Sequence, residues 1–184
     1  TRQPGSTFKI LASYSAALDA GGLTLASVQD DAPYTYAGAN GKSVSNYDKR
    51  YRGFTTLREA ITDSINIVTV KTLAQVGVSL GWQYVQEYGF TTVDSRDMNE
   101  ALALGGITQG VSNLELTAAY AAIANQGTYI KPKFYTKILD HDGNVLIDNT
   151  TPESHTVIKD TTAWLLTSAM EDVVKKGTGT ACQL

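Results

Sequence analysis

The chain has 184 residues, 42% of them hydrophobic, and a formal charge of −3, enough for one domain, or part of one, around a real core. That acidic balance, with no basic run interleaved with aromatics, argues against nucleic acid as a partner. One cysteine, Cys182, excludes an internal disulfide and a Cys-rich metal site, and His141 and His155 share no ligand spacing, so neither metal nor cofactor is expected.

Gln3-Pro4-Gly5-Ser6-Thr7-Phe8-Lys9 opens the pattern. Pro4 and Gly5 make a turn, and the apolar period of Leu11, Tyr14 and Leu18 predicts a helix from Ser6 that Gly21-Gly22 stop. Residues 23–36 read as short extended pieces, and residues 37–53 as loop, because Gly38, Asn40, Gly41, Ser43, Ser45, Asn46 and Gly53 are turn formers. A capping box, Thr56 with Glu59, starts a short helix to about Asp63, which Ser64-Ile65-Asn66 interrupts. Ile67, Val70, Leu73 and Ala74 form the buried stripe of the next helix, stopped by Gly77. Ser79 is expected to cap a helix with Trp82, Val85 and Tyr88 inward, and a further helix is expected over 97–104. Ser112 and Glu115 make a second capping box, opening a helix to about Asn125 whose small residues predict a central position. Residues 129–139 and 144–147 read as strands joined by Asp140-His141-Asp142-Gly143. A last helix runs from about Asp160 to Val174 with Trp164, Leu165, Ala169, Met170 and Val173 inward, ended by Lys175-Lys176-Gly177. No apolar run approaches the roughly 18 residues of a membrane span. The chain starts almost on its most telling motif and so reads as a fragment of something longer.

Residues three apart on a helix share a face, so Lys9 can reach back over the Ser6 hydroxyl. The partial positive charge of a helix N-terminus disfavours a second cation, which helps keep Lys9 neutral, and it stabilises an alkoxide at Ser6. A hydroxyl nucleophile beside an amine base is a solution to acyl transfer. Serine at a helix start is more often a simple cap, and lysine in a first turn is more often solvated, so this pair does not decide alone. Ser64-Ile65-Asn66 joins two helices, where short polar side chains project into clefts, and it too reads by itself as a cap.

Together the segments resemble the transpeptidase domain of penicillin-binding proteins, more closely the bifunctional class A type. Arg2 to Lys9 is similar to the nucleophile segment of that family. Asn46-Tyr47-Asp48, Tyr51-x-Gly53 and Leu57-Arg58-Glu59-Ala60 lead into Ser64-x-Asn66 in the family's order. Ala103-Leu104-Gly105-Gly106, Gly110-Val111-Ser112, Ala119-Tyr120-Ala121, Ala124-Asn125-Gln126-Gly127 and Val173-Val174-x-x-Gly177-Thr178-Gly179 follow.

The resemblance implies an α+β serine-transpeptidase fold, of which this chain carries mostly the helical part plus a peripheral β-hairpin. Sheet strands before residue 1 and after residue 184 are expected to complete it. It implies Ser6, Lys9 and Ser64 as catalytic residues and Asn66 as substrate-binding. The implied reaction is D,D-transpeptidation of peptidoglycan stem peptides at D-Ala-D-Ala, with β-lactams acylating the same serine. Implied partners are the stem peptides, β-lactam antibiotics, the remainder of the transpeptidase domain and an upstream glycosyltransferase domain. The implied location is the outer face of the cytoplasmic membrane. The family's third motif, Lys-Thr/Ser-Gly on a strand, is missing from the sequence; Lys175-Lys176-Gly177-Thr178 mimics it but closes a helix. Competing readings are a serine β-lactamase, for which Glu100 lies in the right region but lacks the following Leu-Asn, a D,D-carboxypeptidase, and a catalytically dead piece or interaction module.

Overall fold

The computed structural model describes residues 1–37 and 42–183. Gly38, Asn40 and Gly41, read as turn formers, lie outside the described residues, as does Leu184.

The centre is a composite first helix, α1, in three segments: a 3₁₀ turn at Gly5–Thr7, a π-helical stretch at Ile10–Tyr14 and an α-helical end at Ser15–Asp19. Phe8 through Ala17 are buried without interruption, although Lys9, Ser13 and Ser15 lie among them. Around α1 pack α3 (Asn66–Val76), α4 (Val78–Glu87) and α6 (Asp160–Lys176). The short α2 (Leu57–Thr62) lies against α6, and α5 (Asn113–Ala124) packs on α6 from another side. The hydroxyls that α1 carries inward are mostly satisfied: Tyr14 bonds Thr69 at 2.8 Å and Ser15 bonds Tyr88 at 2.9 Å.

Among the described residues the β-structure comprises four two-stranded antiparallel ribbons. They pair β1 (Val28–Asp31) with β4 (Gly53–Thr56), and β2 (Tyr34–Thr35) with β3 (Ser43–Val44). They also pair β5 (Thr128–Ile130) with β8 (Ser154–Thr156), and β6 (Lys137–Leu139) with β7 (Val145–Asp148). The α+β reading and the hairpin around Asp140–Gly143 hold, while the β-content exceeds one hairpin.

Several local expectations need correcting. The strand expected over 129–139 is two strands with different partners, divided where Pro132 cannot donate to a ladder. Residues 97–104 form 3₁₀ turns at Ser95–Asp97 and Glu100–Leu104 instead of one helix. Helix α4 starts at Val78, with Gly77 rather than Ser79 in the cap position at φ 97°. α5 is not central: it buries Ala118, Ala119, Ala122 and Ile123 on one side while Leu114 stays 42% exposed. Both capping boxes, Thr56 with Glu59 and Ser112 with Glu115, form as read.

Trp164 does not face inward. It is 69% exposed, and with Ile123, Ala124, Ala163 and Leu165 it lines an open, largely apolar groove of about 630 Å³. The inward side of α6 is carried by Thr162, Ala163, Leu166 and Ala169, so its apolar stripe is wider than its neighbours here cover.

Candidate active site

Main-chain contacts moor the turn that carries Ser6. Arg2 and Val111 exchange backbone hydrogen bonds at 2.9 and 2.8 Å. The Gln3 side chain brackets Ile107, accepting from its N–H at 2.9 Å and donating to its carbonyl. Gly105 lies against Gly5 so closely that a Cβ would fall 2.5 Å from the Gly5 carbonyl oxygen. Gly5 itself has φ 59°, in the left-handed region that glycine enters freely. From the other side, Tyr120 donates its hydroxyl to the Thr7 carbonyl at 2.6 Å. Ser6 is thereby presented, exposed, inside a 3₁₀ turn rather than as a helix cap.

Lys9, one turn on, is 3% exposed. Its Nζ donates to the Ser64 carbonyl at 2.6 Å, to Ser64 Oγ at 3.0 Å and to Asn66 Oδ1 at 2.6 Å. No carboxylate is among these partners, and burial lowers the Lys9 pKa to about 7, since a desolvated ammonium is disfavoured. The helix departs from α-geometry immediately after this lysine, at Ile10–Tyr14, and such π segments recur at functional sites.

Ser64 is the bend between α2 and α3, held at φ 53°, a conformation costly for a residue with a Cβ. Ile65 is extended and offers α3 no side-chain cap. Asn46 supplies the cap instead: its Oδ1 accepts from the N–H groups of Asn66 at 3.0 Å and Ile67 at 3.2 Å. Asn66 Nδ2 donates to the Ser45 carbonyl at 2.8 Å, fixing the amide so that Oδ1 faces Lys9.

Ser6, Ser64 and Asn66 line one cleft of about 1000 Å³, with Tyr47 and Lys176 at its edges. Behind it, Ser6, Lys9 and Ser64 line a smaller cavity of about 290 Å³ with Tyr120, Met170 and Thr178. All four residues singled out in the sequence therefore meet at one place. The sequence reading missed Asn46 and Asp31 as supports of the site. The available signal was an apolar residue, Ile65, where α3 needed a cap.

Lys176 borders the cleft, but from the last turn of α6 and not from a strand, with Nζ 3.4 Å from Asp172 Oδ2. Glu100 is buried, accepting from Tyr34 Oη at 2.9 Å and Ala37 N–H at 3.0 Å. Its carboxylate is thus already engaged.

A family profile, the penicillin binding protein transpeptidase domain, matches residues 1–183. Penicillin-binding protein 1F of Bacillus subtilis is 41% identical over 180 residues, covering 98% of this chain and 24% of that protein. Penicillin-binding protein 1A of Neisseria meningitidis is 35% identical, covering 96% of this chain and 23% of that protein. The chain therefore spans about a quarter of the length of these relatives. Among solved structures, penicillin-binding protein 1A of Haemophilus influenzae superposes with a TM-score of 0.83 at 27% identity, over 96% of this chain and 31% of that one. The D,D-transpeptidase domain of a peptidoglycan glycosyltransferase from Eggerthella lenta shares the fold, with a TM-score of 0.80 at 24% identity over 100% of this chain and 51% of that one. With a profile matched along essentially its whole length, and class A relatives that share over a third of its residues, the chain belongs to the penicillin-binding protein transpeptidase family.

Proposed function

We propose that this chain carries the nucleophile-bearing part of a serine D,D-transpeptidase that cross-links peptidoglycan stem peptides. One observation carries the reading: a buried lysine amine lies 3.0 Å from Ser64 Oγ and 2.6 Å from Asn66 Oδ1, in a cavity that Ser6 also lines. Lys9, neutral in part because burial lowers its pKa to about 7, accepts the Ser6 hydroxyl proton as Ser6 Oγ attacks the D-Ala-D-Ala carbonyl. The Ser6 backbone N–H, among the first donors of a helical turn and so without a partner within it, is placed to hold one side of the oxyanion. Ser64 Oγ passes its proton to the leaving D-alanine amine and is reprotonated from Lys9. Asn66 Nδ2 keeps one N–H for the substrate carbonyl while the other holds Ser45. The amine of a second stem peptide then displaces Ser6 from the ester, and the proton it loses returns to Ser6. β-Lactams present the same carbonyl to Ser6 and are trapped.

The β-lactamase alternative needs a free carboxylate base near the ester, and Glu100 is committed to Tyr34 and Ala37. By the same reading, strands of the remaining transpeptidase domain cover the groove at Trp164 and supply the second oxyanion donor and the Lys-Thr-Gly motif. A glycosyltransferase domain lies upstream, and the enzyme works on the outer face of the cytoplasmic membrane. Among the described residues no helix is long and apolar enough to cross a membrane. Labelling by a fluorescent penicillin tests the proposal in the complete protein: the parent is labelled, Ser6→Ala is not, and equal labelling of both would remove Ser6 from the chemistry.

A further inference from the structure

Beside Ser64 and Asn66 lies a polar network that borders the cleft at Asn46 and Arg52 and is otherwise buried behind it. Asp31, the last residue of β1, is 0% exposed, and Asn46 is 3% exposed although it sits in a loop. The Asn46 amide is used completely. Its Nδ2 donates to both Asp31 oxygens, at 2.8 and 3.0 Å, and to the Arg50 carbonyl at 2.8 Å. Its Oδ1 accepts from Asn66 N–H and Ile67 N–H. The carboxylate accepts further from Arg52 N–H at 2.9 Å, and the Arg52 guanidinium stands 3.7 Å away.

This pairing dictates orientation. Only a donor can face Asp31, so the Asn46 carbonyl must point at α3, where the orphan N–H groups of an uncapped helix start need an acceptor. The neighbouring Ser45 carbonyl then receives Asn66 Nδ2, leaving Asn66 Oδ1 aimed at Lys9. Ser64 is held left-handed just before this anchored start, and such a conformation persists only when its surroundings over-determine it.

We propose that Asn46, locked by the buried Asp31 carboxylate, is a positioning residue that sets the geometry of the Lys9–Ser64–Asn66 cluster. The inference rests on the reading of that cluster given above. It ties the β1–β4 ribbon to the reacting groups through one amide, so a buried loop residue controls how fast Ser6 is acylated through the groups it orients.

The test is a donor–acceptor exchange in the complete transpeptidase. Asn46→Asp sets two carboxylates face to face, and Asp31→Asn removes the acceptor that Asn46 needs. Each single variant should slow penicillin acylation by about tenfold or more, because displacements near 1 Å cost up to about a hundredfold. The double variant Asn46→Asp/Asp31→Asn again sets an amide against a carboxylate, though it leaves the Arg50 carbonyl without its donor, and should acylate at least about threefold faster than either single variant. Asn46→Ala creates no charge clash and serves if the charged singles do not fold; it should slow acylation similarly and speed hydrogen exchange at the Asn66 and Ile67 amides. A merely structural residue would lower the folded fraction without slowing acylation of the molecules that are folded. Parental acylation in folded Asn46→Ala, or a folded double variant no faster than the singles, overturns the inference. If the parent itself were not labelled at Ser6, the transpeptidase reading would fall separately; unchanged exchange at Asn66 and Ile67 in Asn46→Ala would by itself sink the role of Asn46.

Discussion

Replacing Lys9 with arginine separates a base from a positive charge. The guanidinium stays protonated at any working pH, so it keeps the cation and removes the amine that can accept a proton. In the parent the Lys9 pKa is lowered to about 7 by burial. The neutral fraction is then about one half at pH 7, about one tenth at pH 6 and about nine tenths at pH 8. Acylation should rise about tenfold from pH 6 to pH 8 and level off above, if Lys9 is the base. The arginine variant should lose at least about a hundredfold at pH 8 and show no such rise. Stopped-flow acylation by a fluorescent penicillin on the complete transpeptidase reads both quantities. A flat parental profile across this range, or near-normal acylation by Lys9→Arg, would refute the assignment.

The same lysine links stability to pH. Its pKa falls from 10.5 to about 7 on folding, so the unfolded chain binds more protons between these values and stability rises with pH through that window. Lys9→Met abolishes this rise; relative to the parent it should lose about 2 to 3 kcal/mol between pH 7 and pH 9 in chemical denaturation. Gly81 sits inside α4, where propensity alone favours alanine by about 1 kcal/mol. A Cβ there would overlap Leu73 Cδ1 and fall 2.5 Å from the Ala12 carbonyl oxygen, so Gly81→Ala should instead destabilise by about 1 to 3 kcal/mol; a raised melting temperature would contradict this packing. Ser13 Oγ is buried with no hydrogen-bond partner among the described residues. Ser13→Ala should therefore be neutral or stabilise by up to about 1 kcal/mol, and a large loss in melting temperature would show that the hydroxyl is used.

Features encoded within a few residues were legible in the sequence. Thr56 with Glu59 and Ser112 with Glu115 cap their helices as read, because each box closes within one turn. The Ser6, Lys9, Ser64 and Asn66 cluster was legible because motif order along the chain stands in for contact in space. What escaped depends on neighbours distant in sequence. The π-helical stretch after Lys9 has the same local composition as an α-helix, and its wider turn appears only in the packed interior. Trp164 falls on the apolar stripe of α6, and a stripe does not reveal how much of itself this chain covers. Asp31 fell in a stretch of short extended pieces and Asn46 read as a turn former, since nothing local shows that one is buried and the other caps a helix 20 positions away.

The central claim is that Ser6 is the acylated nucleophile. Mass spectrometry of the complete protein after brief exposure to a penicillin, followed by peptide mapping, reads that bond directly. The account predicts one added penicilloyl mass, carried by the peptide that contains Ser6 and absent in Ser6→Ala. An adduct on any other residue, or none at all while the folded protein still cross-links stem peptides, would contradict it.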